Sequence, residues 1–282
     1  MSSTAMKIER VAAFSDAAHG GNPAGVVICD ALPGVPAMQA LATEIGYSET
    51  VFAMPEGEGW RVRYFAPAME VPFCGHATVA LGAILAKRGG NGRFQLRLNS
   101  GVCVSVEGDI SGSLATATLL SPPPASRPVT RAYLDKALAL FGWDDDDLDS
   151  RIPPAIISAG ADHLLLALKS RKTLSAMRYD QNAGKVIMEA ERLATISLVC
   201  SDGPQHFHAR NPFAAGGVYE DSATGAAAAA LGRYLARIDW PHGRHFIVSQ
   251  GEDMGIPCRI VVDLDDDGRK GIRVGGTVRD IL

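Results

Sequence analysis

Two stretches decide how this sequence folds: GHATVALGAILAK at residues 75–87 and TGAAAAALGRYLAR at residues 224–237. Both are rich in helix formers, and both are apolar on almost every side, the composition of a helix buried inside its domain. At an offset of 150 residues they register: Gly75 meets Gly225, Ala77 meets Ala227, Ala80 meets Ala230, Leu81-Gly82 meets Leu231-Gly232, and Leu85-Ala86 meets Leu235-Ala236. Ahead of the helices, Glu70 falls on Glu220. An internal duplication with one copy per domain is the plain reading. The alternative is chance similarity between two alanine-rich helices, because such composition inflates identity.

Outward from these helices the pattern is mixed α/β (α+β). Residues 8–14 and 24–29 read as strands separated by the turn-forming run Gly20, Gly21, Asn22, Pro23. Residues 36–45 place Met38, Leu41, Ala42 and Ile45 at helical spacing. Residues 48–54 and 60–65 return to strand character, and 94–98, 102–106 and 114–119 form an expected antiparallel set. Pro122, Pro123 and Pro124 are the best linker signal in the chain. Beyond them, 133–141 reads as helix, and 155–158, 163–168 and 193–200 as extended. The expected domains are residues 1–120, with a last strand near 272–282 returning to them, and residues 127–271.

Composition narrows the function classes. The net charge of −4 is spread along the chain except for the acidic runs 144–147 and 265–267, and no basic stripe offers itself to a phosphate backbone. Nucleic acid is therefore not an expected partner. Five widely spaced cysteines include no C-x-x-C pair, which fits a reduced, cytoplasmic setting. Residues 1–11 are too short and polar for a signal peptide, and the longest apolar run, 226–231, is far below membrane-spanning length. No G-x-G-x-x-G follows a strand, and Asp144 to Asp147 lacks the glycine and distal glutamate of a calcium loop. His206 and His208 share one face of a strand. No Asp, Glu or Cys at ligand spacing completes a site with them, so a structural or surface role is expected and no metal.

Helices that begin at a glycine-containing turn expose free backbone N–H groups and a positive dipole end, which suits carboxylates. Duplicated domains facing each other about a pseudo-two-fold axis would bring both helix starts to one interdomain cleft. Cys74, Gly75 and His76 would then lie opposite Asp221, Thr224, Gly225 and Ala226.

Five ordered stretches, GNPAGVV (21–27), SETVF (48–52), FCGHAT (73–78), EDSATGAA (220–227) and SQGEDMG (249–255), resemble the phenazine-biosynthesis PhzF-like family, whose fold is that of diaminopimelate epimerase. The resemblance covers nearly the whole chain. It implies two pseudo-symmetric domains, each a curved mixed sheet around a central helix, with the active site in the interdomain cleft. It also implies a homodimer, and a cofactor-free isomerase acting on a small carboxylate-bearing molecule. Glu49 of SETVF takes the catalytic acid/base position by this resemblance, with Ser48 beside it, and His76 and Asp221 match the other two polar active-site positions. Ser48, Gly75, Thr224, Gly225 and Ala226 fall on substrate-binding positions. Ser222 stands where proline is common, and Ala226 where a substrate-contacting serine is common, which puts the phenazine precursor itself in doubt as substrate.

The residues have their own chemical reading. A proton moved between two carbons of one molecule needs a group that takes it and returns it, and a carboxyl group buried enough to raise its pKa does so without a cofactor. Against that, Glu49 reads equally as a surface acid at a strand end, His76 as a polar helix start and Asp221 as a helix cap. The two-cysteine epimerases keep a thiol at each helix start. Here the internal alignment puts Cys74 and Thr224 at those places, which disfavours two-thiol epimerisation and makes Cys74 a small buried residue before a nucleophile. A one-thiol racemase using Cys74, and a non-catalytic binding protein of the same fold, stay open as alternatives.

Overall fold

The computed structural model describes residues 7–265 and 271–281. Residues 1–6, 266–270 and 282, and with them parts of the N-terminal stretch and of the acidic run 265–267 considered above, lie outside the described residues. The chain forms two compact units, one from residues 1–120 and 275–282, the other from residues 121–274.

In the first unit the strands are β1 (Ile8–Ser15), β2 (Asn22–Ile28), β3 (Glu49–Glu56), β4 (Gly59–Phe65), β5 (Glu70–Val71), β6 (Gly92–Arg97), β7 (Cys103–Ser111) and β8 (Leu114–Leu120). Two helices, α1 (Val35–Ile45) and α2 (Gly75–Gly89), connect them. The second unit contains β9 (Ala125–Pro128), α3 (Arg131–Phe141), β10 (Ala155–Ser158), β11 (Asp162–Ala167), α4 (Arg171–Ser175), α5 (Gln181–Ala190) and β12 (Thr195–Ser201). It continues with β13 (His206–Pro212), β14 (Glu220–Asp221), α6 (Gly225–Arg237), β15 (His245–Gln250) and β16 (Cys258–Asp263). The last strand, β17 (Arg273–Asp280), pairs with β1 and β8 of the first unit.

Strand order in the first unit runs β17, β1, β2, β3, β4, β6, β7, β8, and the β8–β17 pairing closes it into a ring. The steps from β17 to β7 are antiparallel, antiparallel, parallel, antiparallel, parallel, antiparallel. Within the second unit the order β9, β10, β11, β12, β13, β15, β16 repeats that same succession. Each unit makes its second parallel step through a two-residue strand and a central helix, β5 then α2 or β14 then α6. Parallel neighbours require such a crossover connection, so each helix is the covalent consequence of its sheet order.

Burial of α2 is complete from His76 to Ala86. It packs against β1, β2, β3, β7 and β8, so the ring of strands encloses it. Contact with β7 is close because both sides carry glycine: a Cβ on Gly108 would stand 2.2 Å from the Gly82 carbonyl oxygen, and one on Gly82 would stand 2.4 Å from Val106. In α6, Gly232 faces Val262 of β16 in the corresponding way.

An ion pair recurs beside these helices. Arg63 of β4 grips Glu70 with Nε and Nη2 at 2.8 and 2.5 Å, and Arg210 of β13 grips Glu220 at 3.0 and 2.5 Å. Each arginine sits two residues before the strand position that pairs with its glutamate, Phe65 with Glu70 and Pro212 with Glu220.

Differences from the sequence-based expectation are local. Asn22 and Pro23 already belong to β2, opposite Ala13 and Ala12, so the turn is shorter than expected. Helices α4 and α5 had no counterpart in the periodicity reading, although Asp180 caps α5 by accepting from the Ala183 N–H at 2.8 Å. Substituting Gly108 with alanine is expected to destabilise the protein by about 1–3 kcal/mol, because the helix cannot retreat from an enclosing sheet. Urea unfolding of Gly108→Ala checks this, and an unchanged midpoint would show that α2 is not held by close approach.

Candidate functional site

In the first unit, Gly46 ends α1 in the left-handed conformation at φ 70°, turning the chain toward β3. Glu49 is the first residue of β3, held by parallel pairing opposite Ala24. His76 enters from the other side on the first turn of α2. Its Nε2 lies 3.5 Å from Glu49 Oε2 and 3.3 Å from Ser48 Oγ, while its Nδ1 lies 3.2 Å from Cys74 Sγ. Donation of the Cys74 S–H to Nδ1 would require the tautomer that carries its hydrogen on Nε2, facing the carboxylate. The His76 side chain is 6% exposed and that of Glu49 15%, so the pair is shielded yet the carboxylate reaches solvent.

A buried chain of hydroxyls pins that helix start. Thr78 Oγ1 donates to the Cys74 carbonyl at 2.7 Å, which leaves it to accept from the Tyr64 hydroxyl, also at 2.7 Å. Burial pushes the Tyr64 pKa far above its ordinary value, so it stays a donor. No side chain caps α2, and a Cβ on Gly75 would touch only Leu119, at 3.8 Å. The first turn is thus open and electropositive, suited to an anionic group.

Within the second unit, Asp221 ends β14, and its Oδ2 accepts from Thr224 Oγ1 at 2.7 Å. Gln250, which the sequence reading did not single out although it stands in SQGEDMG, holds this turn. Its Oε1 accepts from the Thr224 N–H at 3.1 Å, and its Nε2 donates to the Asp221 carbonyl and Thr224 Oγ1 at 2.8 and 3.0 Å. Gly225 and Ala226 follow as the first residues of α6, again without a side-chain cap. The predicted residues therefore form two groups, Ser48, Glu49, Gly75 and His76 with Cys74 in one unit, and Asp221, Thr224, Gly225 and Ala226 with Gln250 in the other.

The second unit has no carboxylate at the place corresponding to Glu49. Phe52 pairs with Arg63 as Leu198 pairs with Arg210, and three residues earlier stand Glu49 and Thr195. Thr195 Oγ1 donates to Asn211 Oδ1 at 3.1 Å and so accepts from His163 Nδ1 at 2.7 Å. His163 Nε2 is left buried without a partner, and burial pushes the imidazole from 6.5 down to about 4. This cluster is sealed and neutral, a packing solution in place of a reactive one.

His206 and His208 depart from the expectation that no acid stands near them. Gly203, at φ 93°, tightens the β12–β13 hairpin and folds Asp202 back over both rings, with Oδ2 3.4 Å from His206 Nδ1 and 3.8 Å from His208 Nε2.

The sequence pattern of the family described as phenazine biosynthesis-like protein, PhzC-PhzF, matches residues 11–278. The chain belongs to that family. A relative named trans-2,3-dihydro-3-hydroxyanthranilate isomerase, from Pseudomonas aeruginosa, is 30% identical over 92% of this chain and 90% of its own. An uncharacterized isomerase of Deinococcus radiodurans is 30% identical over 94% of this chain and 90% of its own. A solved structure of a predicted epimerase from Pseudomonas aeruginosa superposes with a TM-score of 0.86 at 25% identity, covering 99% of this chain and 98% of that one. The fold is the mixed α+β fold of the family, and kinship with named isomerases makes this family member an isomerase. Among the described residues no helix is long and apolar enough to cross a membrane.

The sealed His163 cluster has a measurable consequence. The unfolded chain takes up a proton on His163 near pH 6.5, whereas the folded chain resists until about 4, so stability falls as pH falls through that window. The expected slope from this group is about 1.4 kcal/mol per pH unit. Unfolding free energies of wild type and His163→Gln, compared between pH 7 and 5, should converge toward the acid end, and parallel curves would show that His163 is not held neutral.

Proposed function

We propose that this isomerase moves a proton between two carbons of a small carboxylate-bearing substrate, with Glu49 as the group that takes and returns it. The carboxylate abstracts a proton from a C–H activated by a neighbouring double bond, the electron pair shifts that double bond along, and the protonated Glu49 delivers the proton to the far carbon. Nothing is oxidised or reduced, so the step asks for no redox partner or cofactor. The single observation that carries this reading is the shielded carboxylate of Glu49 within 3.5 Å of His76 Nε2, beside an uncapped helix start.

His76 orients the carboxylate and opposes the charge that develops on the substrate, and Ser48 shares its Nε2. The N–H groups at Gly75 take the substrate carboxylate. Asp221, Thr224, Gly225 and Ala226 are assigned to substrate binding through the EDSATGAA motif, with Asp221 holding an amino or ring group. Ala226 offers no hydroxyl there, so one hydrogen bond to the compound in the Pseudomonas relative's name is missing, and another small carboxylate is as good a candidate substrate as that compound.

A second reading has one observation in its favour. Cys74 Sγ lies 3.2 Å from His76 Nδ1, a pairing that supports a thiolate, and a one-thiol racemase would use it. Two variants separate the readings on a panel of unsaturated and amino carboxylates that includes trans-2,3-dihydro-3-hydroxyanthranilate. Glu49→Gln should lower kcat by about 10²–10⁴-fold while Cys74→Ala stays within a few-fold of wild type. The reverse ranking would replace the Glu49 isomerase with the thiol racemase.

A further inference from the structure

The hairpin joining β12 to β13 carries a cluster that the proposed reaction does not use. His206 and His208 alternate with Phe207 on β13, so both rings stand on one face of the sheet, with centroids 4.8 Å apart. One ligand atom each from Asp202, His206 and His208 lies within 4.8 Å of the others.

Each ring has one nitrogen committed and the other turned to the same point. His206 Nε2 lies 2.9 Å from Ser249 Oγ, which leaves Nδ1 toward Asp202 Oδ2 at 3.4 Å. His208 Nδ1 lies 2.7 Å from Glu252 Oε2, which leaves Nε2 toward the same Asp202 oxygen at 3.8 Å. Ligand atoms bound to a tetrahedral zinc at about 2.0–2.1 Å stand about 3.3 Å from one another. The two Asp202–histidine spacings approach that edge length, the two ring nitrogens lie within 4.8 Å of each other, and Asp202, with a side chain 72% exposed, is free of packing that would stop it moving closer to both.

The outer partners matter as much as the donors. A metal-bound imidazole characteristically donates its second N–H to a carboxylate or hydroxyl, which fixes its tautomer and raises its basicity. Glu252 does this for His208 and Ser249 for His206, and Arg171 in turn steadies Glu252 at 3.3 Å. From this convergence we infer that Asp202, His206 and His208 form a surface site for a divalent transition metal of imidazole preference, such as Zn(II), Co(II) or Ni(II). Solvent completes the coordination. The site takes no part in the proton transfer proposed above, and its test is independent of that proposal.

Co(II) titration of the purified, metal-stripped full chain reads the site directly. The Cys74→Ala variant serves as background, because Cys74 with Glu49 and His76 is a second potential ligand set. The expected result is one equivalent of Co(II) with visible d–d bands and no thiolate charge-transfer band, displaced by Zn(II). That equivalent should be lost in His206→Ala/His208→Ala. Asp202→Asn, a change at an exposed position that leaves the fold intact, should weaken binding, and Glu252→Gln should weaken it by about 10–100-fold. Absence of the bands in the background variant, or titrations of Asp202→Asn and of the double variant unchanged from that of the background variant, would overturn the site.

Discussion

One constraint governs the first unit: a helix with no polar face must be enclosed, and enclosure requires that its backbone approach the sheet closely. Gly82 and Gly108 provide that approach, and the closed order from β17 to β8 provides the enclosure. A helix so held cannot rotate or slide, and its first residues inherit that rigidity. His76 is therefore fixed with one nitrogen at Cys74 and the other at Glu49, and the Tyr64–Thr78–Cys74 chain removes the remaining play. The Glu49 carboxylate, proposed above as the reactive group, is thus positioned from a strand end and a helix start, which hold direction more precisely than a loop does.

The second unit repeats the scaffold and changes its contents. Both units keep the arginine–glutamate clasp before the central helix, but Arg210 and Glu220 are buried where Arg63 and Glu70 are partly exposed. A buried ion pair tolerates the loss of neither partner, so the second clasp is the stricter structural element. Where the first unit has Glu49, the second has Thr195 locked to His163 and Asn211. Where the first has Cys74 at the helix start, the second has Thr224, fastened by Asp221 and Gln250. One copy of the repeated architecture presents a carboxylate, an imidazole and a thiol side by side, and the other presents polar groups fastened to one another.

Much of this was legible in the sequence. The two buried helices are marked by alanine, leucine and glycine on almost every face, and the ordered motifs carry the family resemblance in the sequence itself. The offset of 150 residues that put Glu70 on Glu220 marked a repeated ion pair whose arginines the sequence did not reveal, because Arg63 and Arg210 are not in register at that offset. Helices α4 and α5 leave little periodic signal since they are short and their buried residues are few, Leu174 in α4 and Gly184 and Met188 in α5. Asp202 was overlooked beside His206 and His208 for a different reason: linear spacing does not show that a glycine at φ 93° doubles the chain back. Gln250 acts through hydrogen bonds to residues 26 and 29 positions away, and no local pattern encodes such distances.

The central claim is that a single carboxyl group, that of Glu49, carries the migrating hydrogen. Turnover in D2O with the product analysed by NMR tests it at the atom concerned. To the extent that the protonated Glu49 exchanges with solvent before it returns its proton, wild type should place deuterium only at the carbon that receives the proton, with the unexchanged remainder carrying the substrate's own hydrogen there, and Glu49→Gln should form neither labelled nor unlabelled product over the same period. Labelling of equal extent and position by the Glu49→Gln protein would contradict the account.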